Sequence, residues 1–108
     1  MIMDDDILRR AAMPLRVACL DTAIQLTAGD RNAAYGEPVE NHRHIAAIFA
    51  AITGHKLTPR DVALFHVATK LARLAKNSGH QDSYVDAMAY LGIAYECAVS
   101  DAGAGVAP

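Results

Sequence analysis

The chain has 108 residues, of which 53% are hydrophobic and 20% charged, and its formal net charge is −2. This length corresponds to one domain, and the composition excludes a disordered chain. The lack of a basic excess argues against binding nucleic acid through many phosphates. Two cysteines are too few for a disulfide framework. No signal peptide and no apolar run of roughly 20 residues is present, so we expect a cytoplasmic protein that does not contact membranes.

Helical periodicity dominates the chain, which contains 22 alanines and almost no alternating β-branched pattern. A first helix is predicted from about Pro14, taken as its first position, to Gly29, with residues 1–12 as an extension or an earlier helix start. A second helix is predicted to end at Gly54. Its apolar face comprises Ile45, Ile48, Phe49 and Ile52.

The third and fourth helices have clearer boundaries. Thr58 followed by Pro59 and Asp61 is typical of a capped helix start, and this third helix is predicted to end near Lys76. The fourth is predicted from about Asp82 to Val99. The sequence therefore predicts an all-α, four-helix bundle-like domain over residues 13–99, followed by a flexible tail at 100–108.

The third helix is apolar over most of its circumference. Its polar side chains form one narrow stripe: His66, Thr69, Lys70, Arg73 and Asn77. Three short neighbours can hardly cover so much apolar surface, so we predict a homo-oligomer. The alternative is that this helix lies at the centre of a monomeric bundle.

The fourth helix carries its own stripe of Asp82, Asp86 and Tyr90. A short connection makes the two helices an antiparallel hairpin, which lets Lys70 and Arg73 face the two carboxylates. One interpretation is a ladder of salt bridges, with Asp82 serving as a helix cap. The other is that the cations hold a phosphate while the carboxylates orient them, bind a ribose hydroxyl or bind a divalent ion.

A long segment from Gly29 to Asn41 lacks a helical stripe, and it is either a plain connector or a functional loop. In the functional interpretation Arg31 and Tyr35 clamp a base and a phosphate. His42 and His44 are two residues apart and cannot both ligate one metal on a helix. The predicted ligand-binding residues are Arg31, Tyr35, Asn41, His66, Lys70, Arg73, Asn77, His80, Asp82 and Asp86.

Four spaced motifs resemble a family of small phage and prophage proteins of unknown function. They are G-D-R-x-x-x-Y-G-x-P-x-x-N, L-T-P-x-D-V-A, K-x-x-R-L and H-x-D-S-x-V-D-x-x-x-Y, which together span about residues 20 to 98. The resemblance implies a viral or prophage origin and action inside a bacterial host cell. It implies no reaction.

A second resemblance concerns the segment D-x-x-x-Y-L at Asp86 to Leu91, which is similar to the last core helix of MazG-like all-α nucleotide pyrophosphatases. Those enzymes hold magnesium with paired acidic residues. Here Ser83 stands at one acidic position, and Lys70 and Arg73 stand where acids would be expected. Magnesium needs oxygen ligands, so the resemblance implies a nucleotide-shaped pocket without the hydrolytic centre.

Three functions follow as hypotheses. The preferred one is a phage-encoded protein without a cofactor that binds a nucleotide-derived ligand and sequesters a host immune signal, such as a cyclic dinucleotide or an ADP-ribose derivative. The first alternative is a divergent magnesium-dependent pyrophosphatase using Asp82 and Asp86, with Glu40 or His80 as a further ligand. The second alternative is a protein-interaction module.

Overall fold

The computed structural model describes residues 11–29 and 36–103, together with Asp5 and Leu8. Over these residues the protein is all-α, without strands, as predicted. Four helices have bounds within the described ranges: α1 (Leu15–Ala28), α2 (Pro38–Thr53), α3 (Pro59–Lys76) and α4 (Gln81–Gly103). None of the helices in the described ranges is long and apolar enough to cross a membrane.

Helix α2 begins earlier than predicted, directly after Glu37. The Glu37 carboxylate accepts hydrogen bonds from the backbone N–H groups of Val39 (3.1 Å) and Glu40 (3.0 Å) and so caps the helix. Glutamate is not among the preferred N-cap residues, which is why the sequence pattern concealed this start. As a result Asn41, predicted to lie in a loop, belongs to α2.

The ends of α2 and α3 match the prediction. Gly54 ends α2 in a left-handed conformation with φ of 76°, which glycine adopts without a Cβ clash. Thr58 and Asp61 form a reciprocal capping box at the start of α3, with both hydrogen bonds at 3.0 Å. Asn77 follows the last residue of that helix.

Two other boundaries differ from the prediction. Pro14 is the N-cap of α1, and the helix proper starts at Leu15. Helix α4 continues past the predicted end at Val99 to Gly103, because residues 100–102 include neither glycine nor proline.

The four helices pack around a core of small side chains. Helices α3 and α4 form the central antiparallel pair, with α1 against α4 and α2 against both. The buried apolar residues in the described ranges are six alanines, four valines, Ile93 and Cys97. The middle of the core consists of Val39, Ala63, Ile93, Ala94 and Cys97, with Tyr90 packed against it.

Many of the larger apolar side chains lie on the surface. On α3 the outward face carries Phe65, which is 67% exposed, and Leu71, which is 54% exposed, alongside Leu64. On α4 Tyr95 is 74% exposed, and on α2 Ile52 is 77% exposed. The protein thus buries alanine and valine while exposing phenylalanine, leucine and isoleucine.

Candidate functional site

The part of the α3 polar stripe at His66 and Lys70 faces the stripe of α4. The rings of His66 and Tyr90 stack with centroids 4.6 Å apart and planes 23° apart. One turn further along α3, Lys70 Nζ lies 3.1 Å from Asp86 Oδ2. A step of four residues forward along α3, from His66 to Lys70, matches a step of four residues back along α4, from Tyr90 to Asp86. This is expected for one register between antiparallel helices. The two stripes predicted from the sequence therefore meet at these two pairs, whereas Arg73, Asn77 and Asp82 are exposed.

His42 joins this arrangement from α2. Its side chain is buried, and its Nδ1 lies 2.7 Å from the carbonyl oxygen of Pro38. Its ring stands edge-on to that of His66, with centroids 5.7 Å apart. The Nε2 atom of His42 is buried and has no hydrogen-bond partner within the described part of the chain.

A partly open cavity of about 260 Å³ adjoins these rings. Its lining is mostly apolar and includes Thr27, Gly36, Pro38, Asn41, His42, Ile45, His66, Ala89, Tyr90 and Ile93. A mainly apolar cavity with a few convergent polar groups is the usual form of a small-molecule site. Its volume lies just below the roughly 300–1,000 Å³ of pockets for drug-sized ligands, so one ring system fits it better than two.

The Lys70–Asp86 pair lies beside the cavity rather than in it. Both side chains are mostly buried, with 18% of their surface exposed. The charge of Lys70 is therefore already compensated by Asp86. Of the two salt bridges predicted between these helices, only Lys70–Asp86 forms. Arg73 and Asp82 are exposed, and neither has an ion pair among the described residues.

A second, more open cleft lies at the C-terminal end of α3, lined by Ala72, Arg73, Lys76, Asn77 and His80. Neither Arg73 nor Lys76 is ion-paired within the described ranges. The His80 ring is oriented by a 2.7 Å contact between its Nδ1 and the hydroxyl of buried Ser83. The Tyr84 hydroxyl donates to the carbonyl of Ser78 at 2.8 Å and fixes the turn beside the cleft.

The predicted site residues thus divide into groups. Asn41 and His66 line the cavity, Lys70 and Asp86 pair with each other, and the remaining cleft residues are Arg73, Asn77 and His80. Asp82 is exposed in the first turn of α4. Arg31 and Tyr35 lie outside the described residues.

Sequence reasoning missed three residues that the structure adds: His42 and Tyr90 at the cavity, and Lys76 at the cleft. Tyr90 lies four residues after Asp86 on the same stripe, so its spacing was an available signal. Lys76 follows Arg73 by three residues in the same way. His42 had no such signal, because its position depends on α2 starting at Pro38.

The acidic residues considered for a metal site are not gathered together. Asp86 pairs with Lys70, and Glu40 pairs with Arg43 at 2.7 Å. Within the described ranges no group of three His, Cys, Asp or Glu side chains is placed to hold a metal ion.

Two ionisable groups near α2 have shifted pKa values. Hydrogen bonds from the backbone N–H of Glu40, and also of Val39, lower the pKa of the Glu37 carboxyl. Burial raises the pKa of the Cys97 thiol, and the nearby carboxylate of Asp101 adds to that rise. Cys97 is therefore a protonated core residue rather than a reactive thiolate.

The fold and site describe a small all-α domain with a partly open cavity of about 260 Å³. The family model "Domain of unknown function (DUF6378)" matches residues 18–98, and the chain belongs to this family. This confirms the predicted resemblance to a small phage family of unknown function.

Two curated relatives are similar to the chain. The Gene 55 protein of Mycobacterium phage L5 is 38% identical over 78 residues, which cover 71% of this chain and 50% of that protein. The Gene 55 protein of Mycobacterium phage D29 is 36% identical over 73 residues, covering 68% and 48%. The chain thus spans about half the length of these relatives. No solved structure matches it.

Proposed function

We propose that this protein binds a nucleotide-derived small molecule and does not transform it. The observation that carries the proposal is the cavity beside the His66–Tyr90 stack, which is apolar, partly open and equipped with convergent polar groups. In this proposal the heterocyclic ring enters the cavity. Its edge is read by polar groups that include the amide of Asn41.

The phosphate is assigned to the cleft at the end of α3. Lys70 cannot be the main phosphate ligand while Asp86 compensates its charge at 3.1 Å. Arg73 and Lys76 carry no such partner among the described residues, and Arg73 can hold a phosphate through two parallel hydrogen bonds. His66 and Arg73 lie seven positions apart on α3, a rise of about 10 Å, which suits a ligand with a ring at one end and an anion at the other.

We further propose that the protein acts as a homo-oligomer. The buried core contains mainly alanine and valine, while Phe65, Leu71 and Tyr95 are more than half exposed. Large exposed apolar surfaces are typical of subunit interfaces. A second copy of the chain covering the outward face of α3 would bury Phe65 and Leu71.

The biological role we propose is sequestration of a host immune nucleotide signal inside the bacterial cell. It is supported by the phage origin of the relatives. Of the two signal classes considered, an ADP-ribose derivative suits the cavity better than a cyclic dinucleotide. It carries a single base, and one ring system suits a cavity of about 260 Å³ better than two.

The proposal is tested by thermal shift with a nucleoside, its 5′-monophosphate, ADP-ribose and a cyclic dinucleotide. A ligand at 100 times its dissociation constant adds about 2.7 kcal/mol to the stability of the folded state, which is readily measured as a rise in Tm. We expect ADP-ribose and the monophosphate to raise the Tm more than the nucleoside. Product analysis of the same samples should show the ligands unchanged. If no member of the panel shifts the Tm at millimolar concentration, nucleotide binding is wrong.

A pair of variants locates the phosphate. The double variant Arg73→Ala, Lys76→Ala should weaken monophosphate binding at least tenfold and leave nucleoside binding unchanged. Arg60→Ala is the matched control, since Arg60 is an exposed cation at the opposite end of the same helix. Equal losses in both variants would mean that the effect is one of net charge alone.

A further inference from the structure

His80, in the turn between α3 and α4, is held by a buried hydroxyl. Its Nδ1 lies 2.7 Å from the Oγ of Ser83, a residue that is 1% exposed. Ser83 Oγ has no other hydrogen-bond partner in the described part of the chain. A buried hydroxyl proton without an acceptor would leave that group desolvated and unpaired, so the hydroxyl donates to Nδ1. In the neutral ring Nδ1 then holds the lone pair, and the proton is on Nε2.

The other edge of the His80 ring is open to a ligand. Its Nε2 has no hydrogen-bond partner among the described residues, yet the buried side-chain atom without a partner in these ranges is Nε2 of His42. Nε2 of His80 is therefore accessible to solvent. Because Nδ1 faces the buried Ser83, the edge of His80 that lines the cleft with Arg73 and Lys76 is the one that carries Nε2.

An N–H group on that edge suits an anion rather than a metal ion. An imidazole nitrogen that carries a proton has no lone pair for a metal, and the opposite tautomer would leave the buried Ser83 hydroxyl without an acceptor. In the imidazolium form both nitrogens carry protons, so Nε2 is a donor in either protonation state. The described residues that line the cleft include two cations, Arg73 and Lys76, and no carboxylate.

We infer that the Nε2–H group of His80 donates a hydrogen bond to the phosphate group in the cleft, and that Ser83 is the positioning residue that holds this donor. The inference rests on the proposed function in placing a phosphate there. It adds a donor of fixed direction to two cations on long side chains, Arg73 and Lys76, and so defines where a phosphate oxygen lies. It also gives a role to the spacing of His80 and Ser83 in the H-x-D-S motif.

The test uses the full chain, with inorganic phosphate as the probe. Dissociation constants are measured by NMR titration at constant ionic strength. Long-range ¹⁵N–¹H spectra report the two nitrogens of each histidine in mildly alkaline buffer, where imidazole is neutral. The free protein should show His80 with a protonated Nε2 and an unprotonated Nδ1, and phosphate should shift the Nε2 resonance of His80.

Variants of His80 test the donor. His80→Phe keeps a flat ring without the donor and should weaken phosphate binding about tenfold, the usual scale for a hydrogen bond to a charged group. His80→Gln places an amide N–H near the same point and should recover part of that loss. His55→Phe is the matched control, since His55 is exposed in the loop before the opposite end of α3, and it should bind phosphate like the unsubstituted protein.

Variants of Ser83 test the positioning role. Ser83→Ala should give a mixture of His80 tautomers and weaker phosphate binding. Ser83→Thr keeps the hydroxyl and should keep both the tautomer and the affinity. If Ser83→Ala keeps both as well, Ser83 is not the positioning residue.

The inference is overturned if the free protein carries the His80 proton on Nδ1, if phosphate leaves the His80 ring unperturbed, or if His80→Phe binds phosphate as tightly as the unsubstituted protein. The first two results come from the unsubstituted protein, so they decide the question even if a variant fails to fold. Inorganic phosphate carries no base, so the result is separate from the nucleotide panel. Nucleotides can bind without contacting His80, and His80 can bind phosphate although no nucleotide binds.

Discussion

Lys70 Nζ lies 3.1 Å from Asp86 Oδ2 and joins the two central helices at a point where both side chains are mostly buried. The pair explains why a helix as apolar as α3 carries a lysine on its inner face. The structure also distinguishes ion pairing from anion binding, which the sequence analysis assigned to the same cations. Lys70 compensates a carboxylate, whereas Arg73 and Lys76 remain available to an anion.

Replacing Lys70 by alanine should lower the free energy of unfolding by about 1–3 kcal/mol, because it removes a mostly buried ion pair between the two central helices. Chemical denaturation measures this loss. Arg43→Ala is the control: Arg43 pairs with Glu40 at 2.7 Å and lies 3.9 Å from Asp101, but its own side chain is 41% exposed, and exposed pairs contribute about 0–1 kcal/mol each.

The double variant Lys70→Met, Asp86→Leu should recover part of the lost stability, since it replaces both members of the mostly buried ion pair with apolar side chains. If Lys70→Ala instead keeps its stability and abolishes nucleotide binding, Lys70 is a ligand residue. The assignment of the phosphate to Arg73 and Lys76 rather than Lys70 is then wrong.

Phe65→Glu should dissociate the proposed oligomer. Phe65 is 67% exposed on the outward face of α3, and a carboxylate there cannot be buried in an apolar interface without a large desolvation cost. Sedimentation should give the mass of a single 11.5 kDa chain for the variant and a multiple of it for the unsubstituted protein.

Gln81→Glu makes the same change of charge at an exposed site at the start of α4 and should leave the mass unchanged. A monomeric mass for the unsubstituted protein would contradict the oligomer outright.

Glu37→Gln should lower stability near neutral pH by about 0.5–1 kcal/mol, the usual value of an N-cap. Hydrogen bonds from the Glu40 and Val39 N–H groups lower the pKa of the Glu37 carboxyl. Its stabilisation is therefore complete above the ordinary glutamate pKa and is lost as the pH falls through the lowered value. When denaturation is measured from pH 7 to pH 3, the free energies of unfolding of Glu37→Gln and the unsubstituted protein should become equal at the acidic end.

Glu37→Asp keeps a carboxylate that can cap the helix and should keep the pH dependence. If the free energy of unfolding differs by the same amount between Glu37→Gln and the unsubstituted protein at every pH, the effect comes from packing rather than from charge.

The Cys97 thiol should resist alkylation in the folded protein. It is fully buried, and burial raises its pKa, so thiolate is scarce and inaccessible. Cys19 is only partly buried and should react first. Mass spectrometry after timed exposure to iodoacetamide distinguishes the two sites, and the rate at Cys97 should follow global unfolding as denaturant is added. Labelling of Cys97 at the same rate as Cys19 would show that the core around it opens locally.

The sequence alone determined the helix boundaries that depend on local chemistry. The capping box at Thr58 and the left-handed position at Gly54 are set by residues within a few positions of each other. It also anticipated the Lys70–Asp86 pair, because i, i+4 spacing on two helices joined by a short turn limits the register. The motifs spread along the chain likewise sufficed to indicate its family.

Only the tertiary structure decided which face of α3 turns inward. A helical pattern shows which residues share a face, but α3 has both a polar stripe and an apolar face, and either could have met α4. The position of His42 was also beyond the sequence, since it depends on α2 starting at an unusual glutamate cap and then packing beside His66. Such contacts depend on how separate helices pack together, and the local propensities that define each helix do not contain that information.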